Sequence, residues 1–280
     1  MTSTQQPTRV PVLMYHSVHA DPTAQTRELS VHPAAFDAQL EALYEMGFGA
    51  VTMAALVGYW RQRAAGVQPR PLLPERPVVL TFDDGYADFH ATVLPLLQRH
   101  RTTGSLYVTT GWLADAGTRR AGRPLAPMLS WGQLAEAAAE GVEIGGHSHS
   151  HAQLDQLPQE LMSAEVTLNQ ELLEQRLQQP LRTFGYPFGY SDARVRRVVR
   201  GAGYAGACAV ANTLADPRQG PYALARLTVR RSTSLEDFCT LVQGHSLARL
   251  YGRDRLLTRG YGVVRGGRRL LTRAAAGHGY

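Results

Sequence analysis

Two short segments carry the residue types from which a hydrolytic metal site is built. Thr81-Phe82-Asp83-Asp84-Gly85-Tyr86 sets adjacent carboxylates at the end of an apolar run, and Gly145-Gly146-His147-Ser148-His149-Ser150-His151 sets two histidines four residues apart behind a glycine pair. One carboxylate and two imidazoles form the ligand set of an open catalytic zinc site, which keeps a coordination position for water. The other carboxylate is then free to act as a base. Neighbouring acids at a strand end repel each other and cost stability unless a cation lies close. Gly85 lets the chain bend so that both face one cavity, and Gly145 and Gly146 permit unusual torsions just before the first histidine. His147 and His151 can reach one ion from a helix or a curved loop, Ser148 hydrogen-bonds locally, and His149 points elsewhere. There is no H-E-x-x-H, which argues against a zincin peptidase.

The elements that must position these residues alternate between short apolar runs and longer amphipathic ones. Strands are expected at residues 10–15, 78–82, 105–109, 142–144, 182–185, 204–210 and 224–229. Helices are expected at 34–46, 52–63, 87–100 with a kink at Pro95, 131–140 capped by Ser130, 158–178, 192–200 and 234–242. A Pro- and Arg-rich connector covers Gln68 to Pro77. Alternation of this kind specifies an α/β fold with a largely parallel sheet or barrel, whose sites form where strands end. His16, the Asp83-Asp84 pair, the His147–His151 segment and the Tyr186-Pro187 turn each follow a predicted strand, so four separate segments deliver polar groups to one rim.

The 280 residues suit one large domain with a sizeable core. Cys208 and Cys239 lie far apart, form no C-x-x-C, and read as reduced, buried thiols. The polar N-terminus has no apolar signal region, and no run is long enough to span a membrane, so a cytoplasmic chain is expected. Net charge is +6 and every basic residue is arginine. From His245 to Tyr280, eight arginines face the single acid Asp254, leaving the rest of the chain near neutral. Such a tail attracts anionic lipid or acidic glycan and could dock the chain at the inner membrane face. Nothing resembling a nucleic-acid-binding module accompanies it, which ranks nucleic acid last among partners.

Taken together, TFDDGY, GGHSHSH and Phe184-Gly185-Tyr186-Pro187-Phe188-Gly189 resemble the signature motifs of the polysaccharide deacetylases, carbohydrate esterase family 4 (the NodB homology domain). The resemblance covers residues 10–240 and implies a metal-dependent N-deacetylase on a distorted (β/α) barrel, with a catalytic domain at 1–244 and a basic extension at 245–280. Carried over by position, it makes Asp84, His147 and His151 the metal ligands and Asp83 the general base. Tyr186, Pro187 and Phe188 line the acetyl pocket, and a backbone N–H near Tyr186 completes an oxyanion site. One divalent ion is implied, zinc by default, with cobalt, nickel or iron compatible with the donor set.

Two departures shape the assignment. Many members carry Arg-Pro-Pro-Tyr-Gly as the third motif; here Gly185 occupies the arginine position and Arg182 lies three residues early. Arg226, in Leu224-Ala225-Arg226-Leu227-Thr228-Val229, becomes the candidate that orients the base. The C-terminal Leu-x-His motif is poorly matched by Leu241-Val242-Gln243-Gly244-His245. Val12-Leu13-Met14-Tyr15-His16-Ser17 instead resembles the circularly permuted branch, which includes biofilm poly-N-acetylglucosamine deacetylases, and it makes His16 the general acid. The expected reaction is removal of an N-acetyl or N-formyl group from an amino sugar in a polysaccharide, its lipid-linked precursor or a glycolipid. The alternative is a non-catalytic glycan-binding protein that retains the barrel.

Overall fold

The computed structural model describes residues 9–252. In chain order the elements are β1 (Val12–Tyr15), β2 (Ser17–Val18), β3 (Ser30–Val31), α1 (Pro33–Glu45), β4 (Gly49–Ala50), α2 (Met53–Ala64), β5 (Pro77–Phe82), α3 (Leu94–Arg99), β6 (Ser105–Val108) and α4 (Trp131–Ala139). They continue as β7 (Glu143–Gly146), α5 (Gln159–Leu177), β8 (Thr183–Gly185), α6 (Ala193–Gly201), β9 (Gly206–Cys208), β10 (Leu227–Thr228) and α7 (Leu235–Val242). Seven strands pair in the order β10-β1-β5-β6-β7-β8-β9, every pairing parallel. A parallel bridge from Cys208 to Leu224 brings the approach to β10 against β9, curling the sheet into a distorted barrel. β4 adds to β5 outside this path, and β2 and β3 form a separate parallel pair.

The strands are apolar on both faces because helices cover one and the barrel interior the other. All six residues of β5 are buried. Tyr15 stacks on Phe82 with ring centroids 5.3 Å apart, and Phe36 and Phe89 meet Phe82 edge-on. Helix starts follow their caps: Thr52 accepts from Ala55 N–H, Ser130 and Gln133 form a reciprocal capping box, and Ser234 accepts from Asp237 N–H. The expected helix over 87–100 divides into a π-helical turn at Phe89–Val93 followed by α3. Pro95 lies in the first turn of α3, where its missing N–H leaves no broken bond, so the wide turn before it absorbs what would otherwise be a kink. The last two strands are shorter than their apolar runs, because the segment between them turns away to form one wall of the site.

At the end of the barrel remote from the site, Glu143 of β7 ties three strands to a helix. Its carboxylate accepts from Ser105 Oγ at 2.7 Å, Thr183 Oγ1 at 2.6 Å and Ala54 N–H at 2.9 Å, the last in the first turn of α2. Burial raises its pKa against those donors. Residues just past α7 also pack on the barrel: Tyr251 is buried and donates to Thr228 O at 2.7 Å. Of the basic extension expected at 245–280, residues 253–280, which hold most of its arginines, lie outside the described residues.

Gly145 and Gly146 do not adopt left-handed torsions; both are ordinary strand residues of β7. Their value is space. A Cβ on Gly146 would lie 2.7 Å from Asn169 Oδ1 and collide with the Tyr204 hydroxyl. We expect Gly146→Ala to destabilise the chain by about 1–3 kcal/mol through overpacking, measured as a shift in the urea midpoint at constant slope.

Candidate metal and active site

β1, β5 and β7 end on one cavity of about 640 Å³, lined among others by His16, Asp83, Asp84, His147, His151 and Phe188. Asp83 and Asp84 follow β5 directly. Asp83 N–H donates to Tyr15 O at 3.0 Å, and Asp84 turns left-handed at φ 77, which aims the consecutive side chains into the same space. Ser148 (φ 63), His151 (φ 61) and Phe188 (φ 59) share this disfavoured backbone region around the cavity. Non-glycine residues hold such torsions only where surrounding contacts over-determine them.

Around the histidine loop those contacts come from α5. Asn169, fully buried, donates from Nδ2 to Val108 O at 2.9 Å and Ser148 O at 2.8 Å and accepts from His147 N–H at 3.2 Å. One turn earlier, Glu165 accepts from His149 N–H, Ser150 N–H and Ser150 Oγ at 3.0, 2.8 and 2.6 Å. Sequence reasoning overlooked both residues. The available signal was a polar pair four residues apart on a helix that must pack against the sheet, one member of it an asparagine. His149 is turned away from the two other histidines and pairs its Nδ1 with Thr110 Oγ1 at 2.9 Å.

His147 Nδ1 lies 2.7 Å from the Gly185 carbonyl. A carbonyl only accepts, so Nδ1 carries the proton and Nε2 of the neutral ring presents a lone pair. That lone pair faces Asp84 Oδ1 across 3.3 Å, and His151 Nε2 lies 3.2 Å from the same oxygen. Asp84 Oδ1 nevertheless makes no hydrogen bond, although it is buried. Three ligand atoms within 4.8 Å of one another, at least two of them acceptors pointed together, need a positive charge in their midst. Nitrogen and carboxylate donors of this kind fit a divalent ion, and the Gly185 carbonyl behind His147 is the support that a ligating imidazole ordinarily has. With no ion between them, the positive charge can come only from the imidazoles themselves, and in that donating form they outweigh burial and hold the Asp84 carboxyl well below the usual range. Burial lowers the His147 pKa, but Asp83 and Asp84 raise it further, so the net shift is upward.

Asp83 is held by Arg226 in a bidentate pair, Nη1 to Oδ1 at 2.6 Å and Nη2 to Oδ2 at 2.8 Å, with both residues buried. Burial would raise the Asp83 pKa, but Arg226, His147 and His16 together lower it, and it stays ionised at neutral pH. Arg226 Nη1 also donates to Thr81 Oγ1 at 3.2 Å, and its guanidinium lies 5.6 Å from the Tyr107 ring centroid. Gly185, the position at which the resemblance would have implied an arginine, could not carry a long side chain here. A Cβ there would meet the Tyr107 ring at 2.9 Å and His147 Nδ1 at 3.1 Å.

His16 follows β1 and opens on the cavity with Nδ1 unpartnered. Burial lowers its pKa against the opposing pull of Asp84 and Asp83. The third-motif segment divides. Phe188 lines the cavity with its ring 4.6 Å from that of His151, which Trp112 flanks at 4.7 Å. Tyr186 and Pro187 are buried and line no part of it, contrary to the sequence reading. The Tyr186 ring packs on Phe184, its hydroxyl donates to Tyr222 O at 3.0 Å, and its N–H donates to Cys208 O at 3.1 Å. Alternation along the chain end of β8 sends residue 186 into the core and leaves 188, after the turn, facing the site.

Residues 72–207 match the family model described as polysaccharide deacetylase. The chain is 24% identical over 241 residues to a Bacillus subtilis (strain 168) protein named for the polysaccharide deacetylases, YxkH, covering 86% of this chain and 78% of that one. It is 32% identical over 146 residues to the poly-β-1,6-N-acetyl-D-glucosamine N-deacetylase of Escherichia coli (strain K12), covering 50% of this chain and 20% of that enzyme. Among solved structures, the Streptococcus pyogenes deacetylase PplD, in complex with acetate, superposes with TM-score 0.72 at 24% identity, covering 86% of this chain and 100% of that one. IcaB from Ammonifex degensii superposes with TM-score 0.71 at 22% identity, covering 85% and 98%. The fold is thus that of the solved deacetylases. Residues 72–207 thus match the polysaccharide deacetylase family, and the first relative above, similar over most of both chains, is named for that family.

The buried Asp83–Arg226 pair yields a pH prediction. The folded Asp83 carboxyl titrates below its ordinary value, so the pair's contribution is present at neutral pH and is lost as pH falls below about 4, through the folded pKa. Arg226→Gln leaves a buried, unpaired carboxylate and should cost about 3–5 kcal/mol at pH 7. In urea melts the gap between wild type and variant should narrow between pH 5 and pH 3; a constant gap would mean that the pair contributes no charge-dependent stability.

Proposed function

We propose that the chain is a metal-dependent hydrolase that removes an N-acetyl or N-formyl group from an amino sugar in a glycan or its lipid-linked precursor. The observation that carries this reading is the convergence of Asp84 Oδ1, His147 Nε2 and His151 Nε2 beside an ionised Asp83. The match to the family and the name of the E. coli relative support the substrate class.

Asp84, His147 and His151 would hold the ion, zinc by preference, with cobalt, nickel or iron also suited to the donors. When bound, it would supply Lewis-acid polarisation of the acyl carbonyl and acidify a water. Asp83 takes a proton from the attacking water as its oxygen bonds to the acyl carbon. Arg226 fixes both Asp83 oxygens and so sets the direction from which that proton is taken. The Tyr186 N–H is already engaged, so the oxyanion donor in this segment is Phe188 N–H, which has no acceptor among the described residues. His16, on the other flank, gives a proton to the nitrogen as the C–N bond breaks, producing free carboxylic acid and the amino sugar. The early position of His16 matches the circularly permuted branch.

Incubation with a panel of N-acetylated and N-formylated glycans and lipid-linked sugars, with released acid measured, tests the reading directly. Asp83→Asn should retain stoichiometric metal, measured by elemental analysis, while acid release falls about 10²-fold or more. Metal retention with unchanged turnover would reduce the ion to a structural part. The role of His16 is separable: His16→Ala should slow amide hydrolysis about 10²–10⁴-fold. It should slow 4-nitrophenyl acetate far less, because nitrophenolate departs without a proton. Equal losses on both substrates would remove His16 from the acid role.

A further inference from the structure

Asn212, in the segment between β9 and β10, takes no part in the chemistry above, yet it is built into the wall of the same cavity. It is 3% exposed and holds a left-handed backbone at φ 49. Its N–H donates to Arg226 O at 2.9 Å, and its Oδ1 accepts from Thr228 N–H at 3.0 Å. The second bond fixes which way round the carboxamide lies, because a backbone N–H can be met only by the amide oxygen. Nδ2 is therefore turned away from β10. It has no acceptor among the described residues, and it is not sealed in the interior. The side chain thus offers N–H donors to the cavity while its backbone N–H and its amide oxygen are tied to Arg226 O and Thr228 N–H.

Its place in the barrel says what those donors would meet. β10 lies beside β1 with Thr228 opposite Met14, and His16 follows β1, so Asn212, tied to Thr228, stands on the His16 flank. In the proposed reaction the acyl group is turned to the ligand cluster and the nitrogen to His16. The ring that bears the nitrogen must then extend along the flank where Asn212 presents its donors. A ring carbon there would leave the N–H groups unpaired, whereas a hydroxyl oxygen would satisfy one of them.

We propose that Asn212 is a substrate-binding residue that donates from Nδ2 to a hydroxyl oxygen of the amino sugar next to the acylamino group, and so favours sugar amides over simple acyl compounds. This rests on the hydrolase reading above, and the test separates the two. Asn212→Asp keeps an oxygen for Thr228 N–H and tolerates the left-handed backbone while removing both donors. Asn212→Gly is a second variant that keeps the backbone and removes the whole group. Binding of a β-1,6-linked N-acetylglucosamine pentamer is measured by calorimetry, and kcat/KM is measured for the pentamer and for 4-nitrophenyl acetate, with thermal melts to confirm folding.

The expected result is about tenfold weaker pentamer binding in both variants, with kcat/KM for the pentamer falling about tenfold further than for the ester, mainly through KM. Equal losses on pentamer and ester, or pentamer binding that matches wild type in both variants, would overturn the assignment. So would a wild-type chain that does not bind the pentamer. A wild-type chain that binds the pentamer without releasing acid, and binds it tenfold more weakly once Asn212 is changed, would sink the hydrolase reading and leave the sugar contact standing.

Discussion

Asp84 Oδ1 and His147 Nε2 point lone pairs at each other across 3.3 Å in a buried site, and the surrounding structure is what keeps them there. Two facing acceptors repel, so a positive charge belongs between them. The arrangement is held from behind on both sides. The Gly185 carbonyl takes the Nδ1 proton of His147, and the left-handed turn at Asp84 is closed by the Thr109 N–H on Asp84 O at 3.2 Å. Asn169 and Glu165 on α5 clamp the histidine loop through five of its backbone and hydroxyl groups. Each support is a hydrogen bond to backbone or to the loop itself, so the ligand atoms do not have to be stabilised by contacts with one another.

The second acid is stabilised differently, and this difference suits the neighbours to different chemistry. Asp84 has imidazoles around it and an oxygen without a hydrogen-bond donor, which suits a ligand. Asp83 has both oxygens on Arg226, which suits a group that must stay charged and oriented while it handles a proton. The guanidinium reaches Asp83 from the segment entering β10, across the barrel interior, where Tyr107 and Thr81 pack around it. Gly185 can then be small, which lets the Tyr107 ring and the His147 imidazole approach β8 closely.

Around these charged groups the cavity is largely aromatic and aliphatic. Trp112 and Phe188 flank His151, and Met14 and Leu125 extend the apolar lining. A low-dielectric wall strengthens the interactions of the few polar groups that reach the cavity.

The sequence by itself determined the seven principal strands, most of the helices and the two motifs that supply the acids and histidines. Apolar runs, caps and turn residues are local signals, and β5 or the Ser130 box can be read without knowing what they touch. It also singled out His16, from its place after a predicted strand as well as by likeness to other chains, and Arg226 by likeness alone. Tertiary structure decided the rest. It split the 87–100 helix into a π-helical turn and α3, turned Tyr186 into the core and Phe188 to the cavity, gave Gly145 and Gly146 a role in spacing, and revealed Asn169, Glu165 and Asn212. The physical reason is common to all of these. Which side of a turn faces a cavity, how close a ring may approach a strand, and which end of a carboxamide is tied depend on neighbours distant in sequence, and those neighbours meet only when the sheet curls.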